Sequence, residues 1–182
     1  MVTFPAGSGG FLNPQKIIDS LEIEKGSIIA DFGCGHGYFT FPLARRVGEE
    51  GKVFALDVLP EALEAVNSRM KIEGVKNITI KRCNLEKEKG SGLPDESCDI
   101  ILMANLLFQT ENDQSVIQEA KRVLKKEGKV IFIDWQENVP LGPQGKRVKQ
   151  EEVKELFFKE GFSFEKDFPV DNYHFGFIFK KQ

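Results

Sequence analysis

Apolar and polar positions along this chain predict strands and helices in alternation through residue 135. Short apolar runs without a helical period, each bounded by turn residues, indicate buried strands. The segments between them carry apolar residues at helical spacing, most clearly between residues 112 and 126. The first predicted strand ends at Asp31, and four further strands are predicted over residues 52–57, 77–81, 98–104 and 129–135. This alternation predicts βαβ units and therefore a parallel sheet with right-handed crossovers.

The helix boundaries are predicted from capping residues. Asn13-Pro14 reads as an N-cap followed by proline at the first helical position. Glycine closes each predicted helix, because it adopts the left-handed conformation without steric cost. The predicted helices begin at Pro14, Tyr38, Pro60, Asn112 and Lys149 and are closed by Gly26, Gly48, Gly74, Gly128 and Gly161, respectively.

The C-terminal part has a different pattern. Residues 163–168 and 173–180 predict two strands with only a short turn between them. Two strands joined so closely must form a hairpin, since a parallel pair needs a crossover connection. The sequence therefore predicts an antiparallel element added to the parallel sheet.

The segment from Ile28 to Tyr38 carries the strongest functional signal. It reads as an apolar strand ending at Asp31, followed by a loop with glycine at every second position, Gly33, Gly35 and Gly37. Glycine allows a tight turn and a close backbone approach to a ligand, and the helix that follows points its N-terminus the same way. A dinucleotide fingerprint, G-x-G-x-x-G, would require glycine where Tyr38 stands. The pattern predicts a nucleotide-type cofactor site of another kind.

This arrangement resembles the first motif of the class I S-adenosylmethionine (SAM)-dependent methyltransferases. The resemblance covers Phe11 to Lys180 and looks like the branch of quinone-biosynthesis C-methyltransferases and small methyltransferases. It implies SAM as cofactor and a Rossmann-like α/β fold with helices on both faces. The implied sheet has seven mostly parallel strands in the order 3-2-1-4-5-7-6, with the last strand antiparallel. The predicted C-terminal hairpin supports that fold independently of the glycine loop.

Cofactor contacts are expected at the carboxyl ends of the strands, where open α/β sheets bind ligands. In the family, the residue at the position of Asp31 helps hold the SAM ammonium group. Asp57, roughly 20 residues beyond the loop, is placed to accept both ribose hydroxyls. Val58 would lie along the adenine, Asn84 would accept from its amine, and Asn105 would face SAM or the acceptor. The complete predicted set is Asp31, Gly33, Cys34, Gly35, Gly37, Asp57, Val58, Asn84, Leu85, Ala104 and Asn105.

Composition limits the alternatives. A chain of 182 residues suits one domain, and a net charge of -3 lacks the overall basic character of a nucleic-acid-binding protein. No apolar run approaches the roughly 20 residues of a membrane span. Residues 1–11 lack the pattern of a signal peptide. Three isolated cysteines and two histidines show no metal-ligand spacing, so we expect no metal and a reduced, cytoplasmic protein.

The acceptor is not specified by any motif. A small molecule is expected, while a protein or nucleic acid acceptor stays open. Asp134 and His174 are predicted as candidate catalytic bases, with His36 as a third candidate. Each also has an ordinary structural alternative. Asp134 could cap or form an ion pair, His174 could be a hydrogen-bonded hairpin residue, and His36 could be a solvated loop residue. Residues 4–13 are a candidate cover over the cofactor.

Two other functions compete with the methyltransferase hypothesis. One is an NAD(P)-dependent oxidoreductase, against which Tyr38 argues, and the other is a non-catalytic SAM-binding module. A cysteine-dependent arsenic methyltransferase is disfavoured because the cysteines do not form an acceptor-side trio. We expect one methyltransferase domain over residues 1–182, divided into an N-terminal cap segment and helix (1–26), a cofactor-binding core (27–135) and an acceptor-side helix and hairpin (136–182).

Overall fold

The predicted strands join one seven-stranded sheet in the computed structural model of the protein, which describes residues 12–182. The strands are β1 (Ile28–Phe32), β2 (Lys52–Asp57), β3 (Ile78–Arg82), β4 (Cys98–Ala104), β5 (Leu124–Trp135), β6 (Phe162–Phe168) and β7 (His174–Lys181). Their order is β3-β2-β1-β4-β5-β7-β6. All neighbouring pairs from β3 to β5 are parallel, and β7 is antiparallel to both β5 and β6. The predicted fold class and strand order are therefore confirmed.

Helices connect the strands. They are α1 (Pro14–Ser20), α2 (Thr40–Val47), α3 (Pro60–Glu73), α4 (Asp113–Val123) and α5 (Gln150–Lys159), with a short 3₁₀ helix at Leu107–Gln109. Asn13 caps α1 as predicted, because its Oδ1 accepts from the backbone N–H of Lys16 at 3.1 Å. Within residues 12–182, none of these helices is long and apolar enough to cross a membrane.

The sheet is covered on both faces, as its apolar strands require. α1, α2 and α3 pack on one face, where Ile131 and Ile133 of β5 join their core. α4 and α5 pack on the other face with Val130 and Phe132. Successive residues of a strand point to opposite faces. β5 therefore contributes to both cores and lies near the middle of the fold.

The C-terminal hairpin extends the core on the α4–α5 face. Phe175, Phe177 and Phe179 of β7 alternate along the strand and belong to that core. The ring of Phe179 stacks on Phe157 of α5, with centroids 4.0 Å apart and planes 2° from parallel. Because β7 lies between β5 and β6, almost all of it is buried.

Two helix ends differ from the prediction. α1 ends at Ser20, well before Gly26, and α4 ends at Val123 without a glycine cap. The backbone N–H groups of Glu96 and Ser97 donate to carbonyl oxygens in the last turn of α4. Cys98 then pairs with Leu124, so β5 begins directly after the helix, and the register shifts before Ile100. The end of α4 is therefore set by pairing with residues 96–98 and not by Gly128.

Candidate cofactor and substrate site

The glycine loop leaves the carboxyl end of β1 in left-handed backbone conformations. Gly33, Gly35 and Gly37 have φ angles of 73°, 50° and 81°. A Cβ on Gly33 would lie 2.8 Å from Cδ1 of Leu106, and one on Gly37 would lie 2.8 Å from the ring of Phe41. Glycine is favoured at all three positions by its φ range, and at Gly33 and Gly37 also by close packing.

The backbone N–H groups of this loop are engaged by β2. Gly33 and Cys34 both donate to the carbonyl oxygen of Leu56 at 2.9 Å, and Gly35 donates to Oδ2 of Asp57 at 2.8 Å. The expectation that loop N–H groups approach the ligand is therefore not met for these three residues. These three residues contribute the shape of the loop and its link to Asp57, because their N–H groups are already hydrogen-bonded.

Asp31 is a buried acid at the end of β1. Its Oδ2 accepts from the hydroxyl of Thr40 at 2.6 Å, and only 2% of the residue is exposed. Burial raises the pKa of Asp31 to about 7, the hydroxyl bond opposes this rise, and Asp57 adds to it. A cation beside Asp31 would stabilise its charged form, so the site suits an ammonium group.

Asp57 is held in place by the loop and by α3. Oδ1 accepts from the backbone N–H of Leu59 at 2.9 Å, just before α3, and Oδ2 accepts from Gly35. Each carboxylate oxygen has a further lone pair available for a hydroxyl donor. Val58 follows with half its surface exposed, which leaves an apolar side chain next to the predicted ribose position.

Asn84 and Leu85 lie farther along the strand ends. Oδ1 of Asn84 accepts from the backbone N–H of Glu86 at 2.9 Å, which is an ordinary role for a loop asparagine. Leu85 is buried in the core of the α4–α5 face. Neither residue lines the cavity described next, so their adenine contacts stay predictions.

A cavity of about 970 Å³ runs along the carboxyl ends of β1, β4 and β5. Of the predicted cofactor residues, Asp31, Gly33, Cys34, Gly35, Ala104 and Asn105 line it, whereas Gly37, Asp57 and Val58 do not. The rest of the lining is largely apolar, and no lysine or arginine from residues 12–182 lines it. Its apolar wall is formed by Leu12, Phe39, Phe108, Trp135, Leu141 and Pro143.

Trp135 is held rigidly in this wall. The ring of His174 lies against it with centroids 4.0 Å apart, and a Cβ on Gly142 would lie 2.5 Å from the tryptophan ring. Arg147 fixes the adjoining loop by donating to the carbonyl oxygens of residues 136, 141 and 143. Contacts within the protein therefore fix the position of this part of the wall.

Two of the three candidate bases, Asp134 and His174, do not line the cavity. Asp134 is fully buried, on the face of β5 opposite Trp135, and burial raises the pKa of its carboxyl to about 7. Its Oδ1 accepts from the backbone N–H of Trp135 at 2.8 Å. His174 is 3% exposed, and burial lowers the pKa of its imidazole. His36 is exposed on the cavity lining. The geometry gives no support to direct proton transfer by Asp134 or His174.

Several site residues were missed from the sequence. Thr40 binds Asp31, Phe108 and Phe39 line the cavity, and Asp171 binds His174. Only Asp171 left a usable signal, since it stands three residues before His174 in the hairpin turn. Of residues 4–13, those from 4 to 11 lie outside the described part of the chain, while Leu12 lines the cavity.

The cysteines have the character of buried thiols. Burial raises the pKa of Cys34 strongly, and it raises the pKa values of Cys83 and Cys98 to about 11. All three are free. Among residues 12–182, no group of three or more His, Cys, Asp or Glu side chains is placed to hold a metal ion.

A mostly parallel sheet of this order, with a glycine loop and a buried acid at the end of β1, defines an α/β protein with a nucleotide-type cofactor site. The chain belongs to the methyltransferase domain family, whose family model matches residues 23–165. This assignment rests on most of the sheet and on the whole glycine loop.

Comparisons with individual proteins agree. The chain is 37% identical over 112 residues to the demethylmenaquinone methyltransferase of Lactococcus lactis, which covers 60% of this chain and 42% of that protein. It is 30% identical over 112 residues to the arsenite methyltransferase of Mus musculus, covering 58% and 30%. The crystal structure of a SAM-dependent methyltransferase from Aquifex aeolicus matches with a TM-score of 0.85 and 27% identity, over 94% of this chain and 90% of that one. The chain spans less than half the length of both curated relatives.

SAM is the cofactor that the family and the structural likeness assign to this site. The residues present fit it. Asp31 is a buried acid suited to an ammonium group, and Asp57 retains acceptor capacity for hydroxyls. Asn105 adds a buried side-chain oxygen, Oδ1, that has no hydrogen-bond partner within the described residues.

Proposed function

We propose that this protein transfers the methyl group of SAM to a small, uncharged and mostly apolar acceptor. One observation carries the proposal: the same cavity joins the Asp31 region to the apolar wall around Trp135. A ligand held at β1 and a second molecule held at β5 would therefore lie in the same cavity. Cavities of this size hold small molecules rather than folded partners.

For the cofactor, we propose one role for each predicted residue. Asp31 holds the ammonium group, Gly33, Cys34, Gly35 and Gly37 shape the loop around the amino-acid end, and Asp57 binds the ribose hydroxyls. Val58 packs on the adenine. Asn84 and Leu85 stand at its edge, and Ala104 and Asn105 border the reacting end. Two observations support this set: Asp31, Gly33, Cys34, Gly35, Ala104 and Asn105 line the cavity, and Asp57 is hydrogen-bonded to the N–H of Gly35 in the loop. The roles of Val58, Asn84 and Leu85 are supported by their position at the carboxyl ends of β2 and β3.

For the acceptor, the composition of the wall supports a flat, uncharged ring such as a phenol or hydroquinone. Phe108, Trp135 and Leu141 offer apolar surface, and no cationic side chain of the described lining would attract an anion. The relative from Lactococcus lactis is named for a quinone substrate. Arsenite is less well supported, because arsenic binds thiolates and the pKa values of all three thiols are raised by burial.

Bound SAM supplies an electrophilic methyl group, so the protein need only align the acceptor and exclude water. Trp135 and the loop fixed by Arg147 form a rigid surface for that alignment. Asp134 and His174 stay predictions as bases. Both are buried outside the cavity lining, whereas His36 lines the cavity and would be the candidate base that can reach an acceptor.

We further propose that residues 1–182 act as one methyltransferase domain with the three parts described above, and that the protein is cytoplasmic. The single sheet formed by β1 to β7 supports the first statement. The three free cysteines support the second, because disulfides are rare in reducing compartments. A small-molecule acceptor is favoured over a protein or nucleic acid by the volume of the cavity, about 970 Å³, and by its mostly apolar lining.

The test combines binding and turnover. Calorimetric titration with S-adenosylhomocysteine (SAH) should show binding that NAD does not, and labelled SAM should methylate members of a phenol and hydroquinone panel. Asp31→Asn should weaken SAH binding, whereas the control Asp19→Asn, at an exposed position on α1, should not. Binding of NAD without SAH would overturn the proposal. SAH binding with no methylation across phenols, amines, thiols and arsenite would favour the non-catalytic SAM-binding module.

A further inference from the structure

Three polar side chains form a line of contacts behind the cavity wall. Nδ1 of His174 lies 2.9 and 3.0 Å from the two carboxylate oxygens of Asp171, and Nε2 lies 3.5 Å from Nδ2 of Asn105. The side chains of His174 and Asp171 are 2% and 5% exposed. Their orientation is therefore set by protein groups rather than by bulk water.

Asp171 fixes the position of the imidazole proton. Its Oδ1 also accepts from the backbone N–H groups of Tyr173 and His174, both at 2.8 Å. An ionised carboxylate only accepts hydrogen bonds, so Nδ1 of His174 must carry the ring proton. Burial lowers the pKa of His174 and keeps the ring neutral near pH 7. Nε2 is then an acceptor directed at Asn105.

An acceptor at Nε2 determines which way the Asn105 amide points. Nδ2 must face His174, and Oδ1 must face away from it. Oδ1 is buried and has no hydrogen-bond partner among residues 12–182, which is costly unless a bound molecule donates to it. Asn105 itself is held with a φ of 54°, and its N–H donates to the carbonyl of Ile133 at 2.8 Å. It borders the same cavity as Asp31.

We propose that Asp171 and His174 are positioning residues that hold Oδ1 of Asn105 as an acceptor for the ammonium group of SAM, beside the Asp31 carboxylate. This inference rests on the proposed function. It gives His174 a role in orienting an amide in place of a role as a base. It also connects the C-terminal hairpin to cofactor binding, although the hairpin does not belong to the cofactor-binding core.

The contacts from Asp171 through His174 to Asn105 are called the relay below. Asp171→Asn tests the relay with little change in the shape of the side chain. The asparagine oxygen still accepts from the backbone N–H groups of residues 173 and 174, while its amide donates to Nδ1 of His174. The ring proton then moves to Nε2, and the Asn105 amide must turn its Nδ2 toward the cofactor site. We expect SAH affinity to fall by at least about tenfold, the effect of losing one charge-assisted hydrogen bond. Affinity for 5′-methylthioadenosine, which lacks the amino-acid end, should be unchanged.

Nitrogen-15 NMR of the imidazole reads the relay without any ligand. The chain has only two histidines, so assignment is simple. We expect the Nδ1–H tautomer at His174 in the wild type and the Nε2–H tautomer in Asp171→Asn. His174→Gln offers an amide oxygen to Asn105 and should retain more SAH affinity than His174→Phe, which keeps only the ring contact with Trp135.

Several outcomes would overturn the relay. One is the Nε2–H tautomer in the wild type, and another is unchanged SAH affinity in Asp171→Asn. Equal weakening of SAH and 5′-methylthioadenosine would show a general loss of structure, and the control Asp167→Asn, exposed on β6, should show neither effect. A wild type that binds no SAH would instead refute the proposed function.

Discussion

The rings of Trp135 and His174 are in contact, with centroids 4.0 Å apart and planes tilted by 42°, and the two residues occupy paired positions in the antiparallel register of β5 and β7. The cavity wall and the relay therefore meet at one residue pair of the sheet. Because this pair is set by strand pairing, the same backbone hydrogen bonds align Trp135 in the wall and His174 in the relay. The following predictions test the residues around this alignment.

Trp135→Leu should impair the acceptor more than the cofactor. Loss of the indole removes apolar and aromatic surface from the proposed acceptor wall, so KM for an acceptor should rise by about tenfold. SAH affinity, measured by calorimetry, should change by less than about threefold. The control Phe158→Leu changes an exposed aromatic residue of α5 and should leave both values alone. An equal loss of cofactor and acceptor binding would contradict the assignment.

Cofactor affinity should fall as pH drops below about 7. The pKa of Asp31 is raised to about 7 by burial, with Thr40 and Asp57 as its polar neighbours, so the carboxyl holds a proton at lower pH. An ammonium group requires the carboxylate, and SAH affinity should fall by up to about tenfold per pH unit. Asp31→Asn should bind weakly with a flat pH profile. A full pH dependence retained in that variant would show that another group is responsible.

Asp134 should make the fold less stable as pH rises. Its pKa is raised from 3.8 to about 7, so the folded chain binds more protons than the unfolded chain between these values. The free energy of unfolding then falls with rising pH through this window by about 2–4 kcal/mol. Asp134→Asn keeps an oxygen for the N–H of Trp135 and should flatten the fall in Tm. The control Asp19→Asn should show the same fall of Tm with pH as the wild type. If Tm of Asp134→Asn fell just as steeply, Asp134 would not be the source of the pH dependence.

Gly33→Ala should cost more stability than Gly26→Ala. Both glycines have positive φ, so alanine at either position costs about 1–2 kcal/mol. At Gly33 the new Cβ also meets Leu106 at 2.8 Å, whereas at Gly26 nothing lies within 4 Å. This overpacking should lower the free energy of unfolding by a further ~1–3 kcal/mol. Denaturant unfolding measures both variants, and adding Leu106→Ala should reduce the penalty at Gly33. Equal losses at the two glycines would refute the steric part.

The bounds of several strands and helices were predictable from the sequence. Strand limits such as Lys52–Asp57 and Cys98–Ala104 agree with the structure, and the proline and glycine signals at Pro60 and Gly74 bound α3 as expected. These features depend on residues close in sequence. Gly128 misled the prediction because the end of α4 is set by contacts with residues 96 and 97, which are distant along the chain.

The sequence alone determined the element order, the glycine loop and the acids that end β1 and β2, because backbone conformation and apolar period are local properties. Only the tertiary structure decided which strand-end side chains share a cavity. Trp135 lines it and Asp134 does not, since neighbouring residues of a strand point to opposite faces. Likewise, Asn105 meets His174 only through the order of the strands and the pairing of β5 with β7, which no local pattern specifies.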